Sequence, residues 1–264
     1  MNITPFTPHP WKQLGKRAPK LDKRTFKIAD YLPAVVPPPP PSSNWLTKVP
    51  YFPVYLNDVE GICVGATGGH QINQWTRYAG GKEIRPTDQD IQLAYEVVGG
   101  YDPSQAQPDG SNNTDNGMNI LDFLNYFRQT GIAGHKILAF ATVDVARLDQ
   151  VRQSINWFGN LFIGLNLPVS AMNQDSLWAV PPGGPFGNGS PGSWGGHAVP
   201  VMEYSPSTLT VVSWGETIQM TWSFFSAYCD EAYCCLSSQD WLAANGVSPS
   251  NFNLAQLQAD LALL

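Results

Sequence analysis

Apolar positions recur every three to four residues from Cys63 to Tyr78, at Ala66, His70, Ile72, Trp75 and Tyr78. That period predicts a helix with Cys63 at its start. A second helix is expected from Thr87 to Val98, capped by Thr87 with Asp90 in its first turn and closed by Gly99-Gly100. A third runs from Met118 to Thr130 on Ile120, Leu121, Leu124 and Phe127, and stops at Gly131. Lys136–Val143 reads as a strand, and Asp144–Phe158 as a helix capped by Asp144 or Asp149. Asn160–Val169 reads as another strand. Then comes a loop over 171–196 rich in Gly, Pro and Trp. A hairpin follows, His197–Tyr204 and a return strand to Ser213, turning at Ser205-Pro206-Ser207. Further strands fall at Gln219–Trp222 and Ala232–Leu236, with a short helix from Ser223 between them. Residues 251–264 carry Leu254, Leu257 and Leu261 on one helical face. Helices first and strands afterwards give an α+β domain with a cleft between its halves.

Residues 1–53 break this pattern. Prolines recur throughout, including Pro37 to Pro41, and block helix and central strand. The apolar residues there stand singly, as anchors for a surface. Three parts are therefore expected: an extended basic arm over 1–53, a folded domain over 54–238 and a C-terminal amphipathic helix over 239–264 packed on the domain.

Charge sharpens the division. Residues 1–27 hold seven basic residues and one acid, whereas the rest of the chain holds eight basic and twenty acidic residues. A basic arm on an acidic body signals an interaction. The acidic body argues against nucleic acid. With 43% hydrophobic and 12% aromatic residues, the 264-residue chain can bury a large core. It has no apolar run long enough to span a membrane, and its first residues lack a secretory pattern. Four cysteines are too few for a disulfide scaffold. Cys229, Cys234 and Cys235 lack the ligand spacing of a zinc site and sit among apolar residues, which suggests core. The Asp- and Asn-rich loop over 101–117 lacks the spacing of a calcium loop. No cofactor or metal is expected.

The chemistry gathers on two distant segments. Cys63 opens a helix, where the dipole favours a thiolate. His197 opens a buried hairpin, well placed for proton transfer. A Cys and a His far apart in sequence are a candidate nucleophile and base. His70, two turns along the first helix, reads as a packing residue.

These segments, in their order, resemble the papain-like cysteine peptidases from about Tyr51 to Leu236. Cys63 resembles the nucleophile, His197-Ala198-Val199 the catalytic His strand and Ser213-Trp214-Gly215 the end of the family's Asn-Ser-Trp-Gly. Asp115-Asn116-Gly117 and the helix after it resemble the wall of the substrate groove, so Asn116, Gly117 and Trp214 are expected to line it. Asn57, six residues before Cys63, matches the oxyanion-hole Gln. The runs Asn57–Cys63 and Asn119–Lys136 are similar to uncharacterised bacterial, phage and prophage proteins. The family's orienting Asn is Val212 here, with Ser213 as the neighbouring substitute, and the Trp after the nucleophile is Val64. Losing an orienter can lower the rate by orders of magnitude.

Two roles follow as expectations. One is a papain-like body with reduced or lost thiol-hydrolase activity, serving as a structural component of an assembly. The assembly would be a phage virion, with many copies in the particle or in the host cytoplasm. There Trp11, Lys16, Arg17, Arg24 and Phe26 would grip capsid or other protein subunits. The other is an active Cys–His peptidase or amidase, with the arm as a propeptide.

Overall fold

The computed structural model describes residues 12–31, 38–237 and 239–241. Trp11 and the terminal helix expected over 251–264 lie outside them. The central element is α1 (Cys63–Ala79), in which every residue from Cys63 to Thr76 is buried. The apolar face read from the sequence is therefore only part of what the helix buries. Its other faces press on α2 (Asp88–Gly99), α3 (Ile120–Gln129) and the sheet. Several polar groups on those faces find partners inside, although Gln71 Oε1 and Gln74 Nε2 are buried without one. Gln71 donates to Asn160, Asn160 donates to Gln74, and the Trp75 indole donates to the Phe158 carbonyl.

The sheet contains β1 (Phe26–Lys27), β2 (Ser43–Asn44), β3 (Ala139–Thr142), β4 (Leu161–Leu167), β5 (Leu177–Trp178), β6 (Gly195–Tyr204), β7 (Thr208–Ser213), β8 (Glu216–Thr221) and β9 (Cys229–Leu236). Its order is β1-β3-β9-β4-β6-β7-β8-β5, with β2 also on β6. The pairings are antiparallel except β1 with β3 and β5 with β8. The helix α4 (Leu148–Phe158) packs on this sheet, and α5 (Trp222–Tyr228) joins β8 to β9. The expected α+β architecture, a helical half against a largely antiparallel half, is present.

The short strands β1, β2 and β5 fall in stretches read as arm or loop, and the other differences lie at element ends. Thr87 and Asp90 form the expected reciprocal cap. The helix α4 starts at Leu148 rather than Asp144, without a side-chain cap. The Asp144 carboxylate instead accepts the Ala146 N–H in the preceding turn, a local bond that competes with helix. The strand β8 begins three residues earlier than expected. Trp214-Gly215 makes a two-residue turn between β7 and β8, with φ of 49° and 77°. Positive φ at both positions matches the right-handed strand twist, so the chain reverses at once.

The arm contributes β1 and β2 to the sheet, and residues 12–20 cross the domain between its halves. Beyond β9, Trp241 is buried and meets Trp45 edge-on, and its indole donates to the Trp157 carbonyl. Among the described residues no helix is long and apolar enough to cross a membrane.

Candidate active site

Cys63 is the first residue of α1, and His197 is the third residue of β6. The helix lies against that strand, which brings both residues to the line where the two halves meet. Cys63 Sγ accepts the backbone N–H of Ala198, next to His197, at 3.4 Å. The imidazole Nε2 lies 2.7 Å from Ser213 Oγ, and Nδ1 is buried without a hydrogen-bond partner. Ser213 thus occupies the orienting position that Val212 cannot fill. Val212 turns instead into a small apolar cluster with Val49, Phe52 and Met202. An amide oxygen can only accept, and would fix the proton on Nε2. A hydroxyl donates or accepts, so Ser213 orients the ring without by itself fixing the tautomer.

Trp214 stacks on the imidazole, with centroids 4.5 Å apart and planes 12° apart. Its left-handed backbone is costly for a bulky residue, and this geometry lays the ring over His197. Trp178 and Trp194 pack around it and close the Ser213–His197 bond from water.

Asn57 is buried just ahead of α1, after Tyr55 and Leu56, which both have positive φ. Such a strained approach fits a residue held for a purpose. Its amide Nδ2 donates to the Glu60 carbonyl and to the carbonyl of Gln13 in the arm, both at 3.2 Å. The indole of Trp214 donates to the same Gln13 oxygen at 3.1 Å. Asn57 therefore already binds a peptide carbonyl.

Asn116 and Gly117 lie against the arm on the facing wall. The carbonyl of Asn116 accepts from Arg17 Nε at 3.1 Å, and Arg17 also donates to the Gly99 carbonyl. Met118, which the sequence did not single out, does the main-chain pairing. Its N–H donates to the Gly15 carbonyl at 2.7 Å, and its carbonyl accepts from the Arg17 N–H at 2.8 Å. Behind this wall, both Asp115 oxygens accept the Gly61 N–H at 3.0 Å. The Tyr95 hydroxyl donates to Asp115 and accepts the Gly117 N–H. One carboxylate thus ties the loop before Cys63 to the groove wall. Asp115→Ala leaves two donors, the Gly61 N–H and the Tyr95 hydroxyl, without their acceptor, at about 2–3 kcal/mol. For a chain of this size the Tm is expected to fall by roughly 5–10 °C. An unchanged thermal transition would deny the network this role.

The arm fills the groove between these walls. The Gln13 N–H donates to the Asn57 carbonyl, and the Lys16 N–H donates to the Gly196 carbonyl at 3.0 Å. Lys12 reaches Asp175 at 2.9 Å and lies over the Trp214 ring. The fit depends on glycine: a Cβ on Gly15 would collide with the Gly61 carbonyl, and one on Gly117 or Gly196 would collide with the arm backbone.

Lys16 and Arg17, read as gripping a partner, are turned onto the chain's own body. The Lys16 side chain is fully buried, with Nζ 2.7 Å from Asp230 and 3.3 Å from Glu231. Arg24 pairs locally with Asp22, and Phe26 in β1 is 38% exposed.

Enclosure sets the charge state. Burial pushes the Cys63 thiol up to about 11, against smaller downward pulls from the backbones of Ala198 and Gly15 and from Lys16. Burial holds the His197 imidazole down to about 3. The helix dipole expected to favour a thiolate is present, but it is worth at most about 2 kcal/mol and desolvation outweighs it. With the arm seated, burial thus favours the neutral form of both the thiol and the imidazole. His70 is a packing residue, buried between Phe52 and Tyr55 with Nε2 on the Pro53 carbonyl. Cys229, Cys234 and Cys235 are buried free thiols in β9. Among the described residues no cluster of His, Cys, Asp or Glu is arranged to hold a metal ion. The loop carboxylates of Asp102 and Asp109 accept nearby N–H and hydroxyl groups instead.

No family model matches the sequence, and no curated protein is similar to it. Solved structures are similar in shape. Xylellain, a cysteine protease from Xylella fastidiosa, superposes with a TM-score of 0.63 at 15% identity, over 86% of this chain and 97% of that one. A cysteine protease from Carica candamarcensis, solved with E-64, gives 0.53 at 15% identity over 75% and 99%. Bromelain from Ananas comosus, also with E-64, gives 0.50 at 12% over 75% and 99%. At such identities the likeness is one of fold, and the fold is papain-like.

Proposed function

We propose that the protein is a thiol hydrolase acting on a peptide or amide bond, held latent by residues 12–18 of its own arm. Cys63 is the nucleophile and His197 the base, with Ser213 orienting the imidazole. Asn57 Nδ2 and the Cys63 N–H are the oxyanion donors. The observation that carries this reading is the Gln13 carbonyl, a peptide oxygen held in the groove by Asn57 and by the Trp214 indole. The Nδ1 of His197 is left without a protein partner, which suits a nitrogen reserved for the thiol proton.

In the reaction, His197 Nδ1 takes the Cys63 proton and the thiolate adds to the substrate carbonyl carbon. The oxyanion draws on Asn57 and the Cys63 N–H. The C–N bond breaks as the imidazolium protonates the leaving amine. Water, deprotonated by the imidazole, then adds to the thioester and releases the acid and the thiol.

E-64, the ligand named with two of the similar proteases, provides the test. A mass adduct confined to Cys63 is expected, slow to form in the native chain and absent in His197→Ala. No adduct after the arm has been displaced would end this reading. Ser213→Ala is expected to lower kcat about 10- to 100-fold with KM little changed, since Ser213 acts through the ring. Unchanged steady-state kinetics in that variant would remove Ser213 from the machinery.

A role in an assembly is the second reading, favoured by the outward side of the arm. Leu21 is 96% exposed there, and Phe26 and Arg24 stand beside it. Capsid or other subunits of a phage virion are the proposed partners of that side. Loss of particle incorporation on substituting Leu21 and Phe26 by Ser supports it, and normal incorporation removes it.

A further inference from the structure

We infer that the pocket formed by Asp230 and Glu231 selects a basic side chain in the substrate, lysine or arginine, on the acyl side of the bond that is cleaved. This rests on the hydrolase reading above and names the substrate class of the same groove. The pocket opens beside the thiol. Lys16, whose backbone pairs with Gly196 and Met118 on the two walls, sends its side chain into the pocket to meet both carboxylates.

The pocket is made for a long cationic chain. Gly164 forms its floor, and any side chain there would meet the methylene stem of Lys16, Glu231 and Asp230. The side chains of Asp230 and Glu231 are 17% and 6% exposed with Lys16 in place. The Tyr233 hydroxyl donates to Glu231 Oε2 at 3.0 Å and fixes that carboxylate. Asp230 Oδ1 and Glu231 Oε1 accept no hydrogen bond, and among the described residues Lys16 is the cation paired with both side chains, through Asp230 Oδ2 and Glu231 Oε1. Two acids side by side in an enclosed pocket are unfavourable without a cation. When the arm leaves, that cation leaves with it. A substrate with Lys or Arg restores the pairing, whereas an apolar chain of the same length must strip water from two carboxylates and return nothing. The discrimination is in the class of a site whose buried polar groups are left unpaired by the wrong ligand.

The test uses the full chain with Gly15→Leu, which unseats the arm. Coumarin-amide tripeptides carry Lys, Arg, norleucine or Glu in turn at each acyl-side position. Lys and Arg are expected to exceed norleucine by about a hundredfold in kcat/KM at one position, with Glu worst. In Asp230→Asn/Glu231→Gln the Lys peptide is expected to fall to the level of the norleucine peptide. Protection of Cys63 from iodoacetamide by the same peptides is a readout that needs no turnover. A reactive thiol with equal hydrolysis of, or equal protection by, Lys and norleucine peptides overturns the inference and leaves the hydrolase reading standing. A reactive thiol with neither hydrolysis nor protection overturns the inference as well. A thiol that stays inert overturns both.

Discussion

Replacing Gly15 by leucine in the full chain is expected to speed alkylation of Cys63 by about two orders of magnitude at neutral pH. The seated arm leaves no room at this position, because the new Cβ runs into the Gly61 carbonyl and the backbone there cannot give way without moving the loop that carries Asn57 and Cys63. The arm is the cheaper element to move. It is joined to the groove by main-chain bonds, by the Asn57 and Trp214 bonds to the Gln13 carbonyl and by the buried lysines Lys12 and Lys16, whereas the loop is fixed by Asp115 and by the buried start of α1. Lys16→Met reaches the same end by a different route. It leaves Asp230 and Glu231 enclosed without their cation, and removing one partner of a buried pair costs about 3–5 kcal/mol. The two carboxylates recover their hydration if the arm lifts, so this cost falls on the seated state alone. At 1.4 kcal/mol per decade, it shifts the opening equilibrium by roughly a hundredfold or more. Alkylation followed by mass spectrometry at Cys63 checks both variants, with Tm recorded to show that each remains folded. Wild-type alkylation rates in both would show that the arm does not control access to the thiol.

The Cys63–His197 half of this site could be picked out because its residues sit at local sequence landmarks. A cysteine at a helix start, a histidine at a strand start and Ser-Trp-Gly at the end of the return strand each sit where a periodic pattern begins or stops. Ser213 could be named as a substitute orienter, but only the fold shows its hydroxyl 2.7 Å from Nε2. The arm-facing half was not legible, because its partners are far apart. Lys16 and Asp230 are separated by 214 positions, and a lysine in a basic run reads as an exposed charge. Two signals were present. Gly15 interrupts the basic run, and Asp230-Glu231 interrupts an apolar strand. Acidic residues in a buried strand need a cation, and the basic arm was the nearest supply. The cap of α4 was misplaced for the opposite reason. Asp144 satisfies a turn as readily as a helix, and a single sequence does not choose between them.

The seated arm should also loosen in acid, and the sign follows from His197. Its imidazole is held down to about 3 by burial, against 6.5 in water. Below pH 6.5 the open state therefore binds a proton that the closed state refuses until pH 3. Closure weakens by up to tenfold per pH unit across that window. Glu231 acts in the other direction. Its pKa is raised mainly by burial, so acid favours its closed form. His197, held from 6.5 down to about 3, sets the expected sign between pH 6.5 and 5. His70, also held low, packs on Phe52 and Tyr55 away from the arm, and its contribution is the same in both states. Comparing wild type with Gly15→Leu at each pH cancels such common terms and the intrinsic reactivity of the open thiol. The variant's advantage in Cys63 alkylation is expected to shrink severalfold per pH unit between 6.5 and 5. The opposite sign holds at high pH. The thiol is pushed up to about 11 when enclosed, against 9.0 in water, so the closed form gains nothing below pH 9 and is lost progressively from pH 9 to 11 as the open thiol ionises. A constant ratio from pH 7 to 5 would mean that His197 titrates equally with the arm seated or lifted, and that the arm shields the sulfur without burying the base.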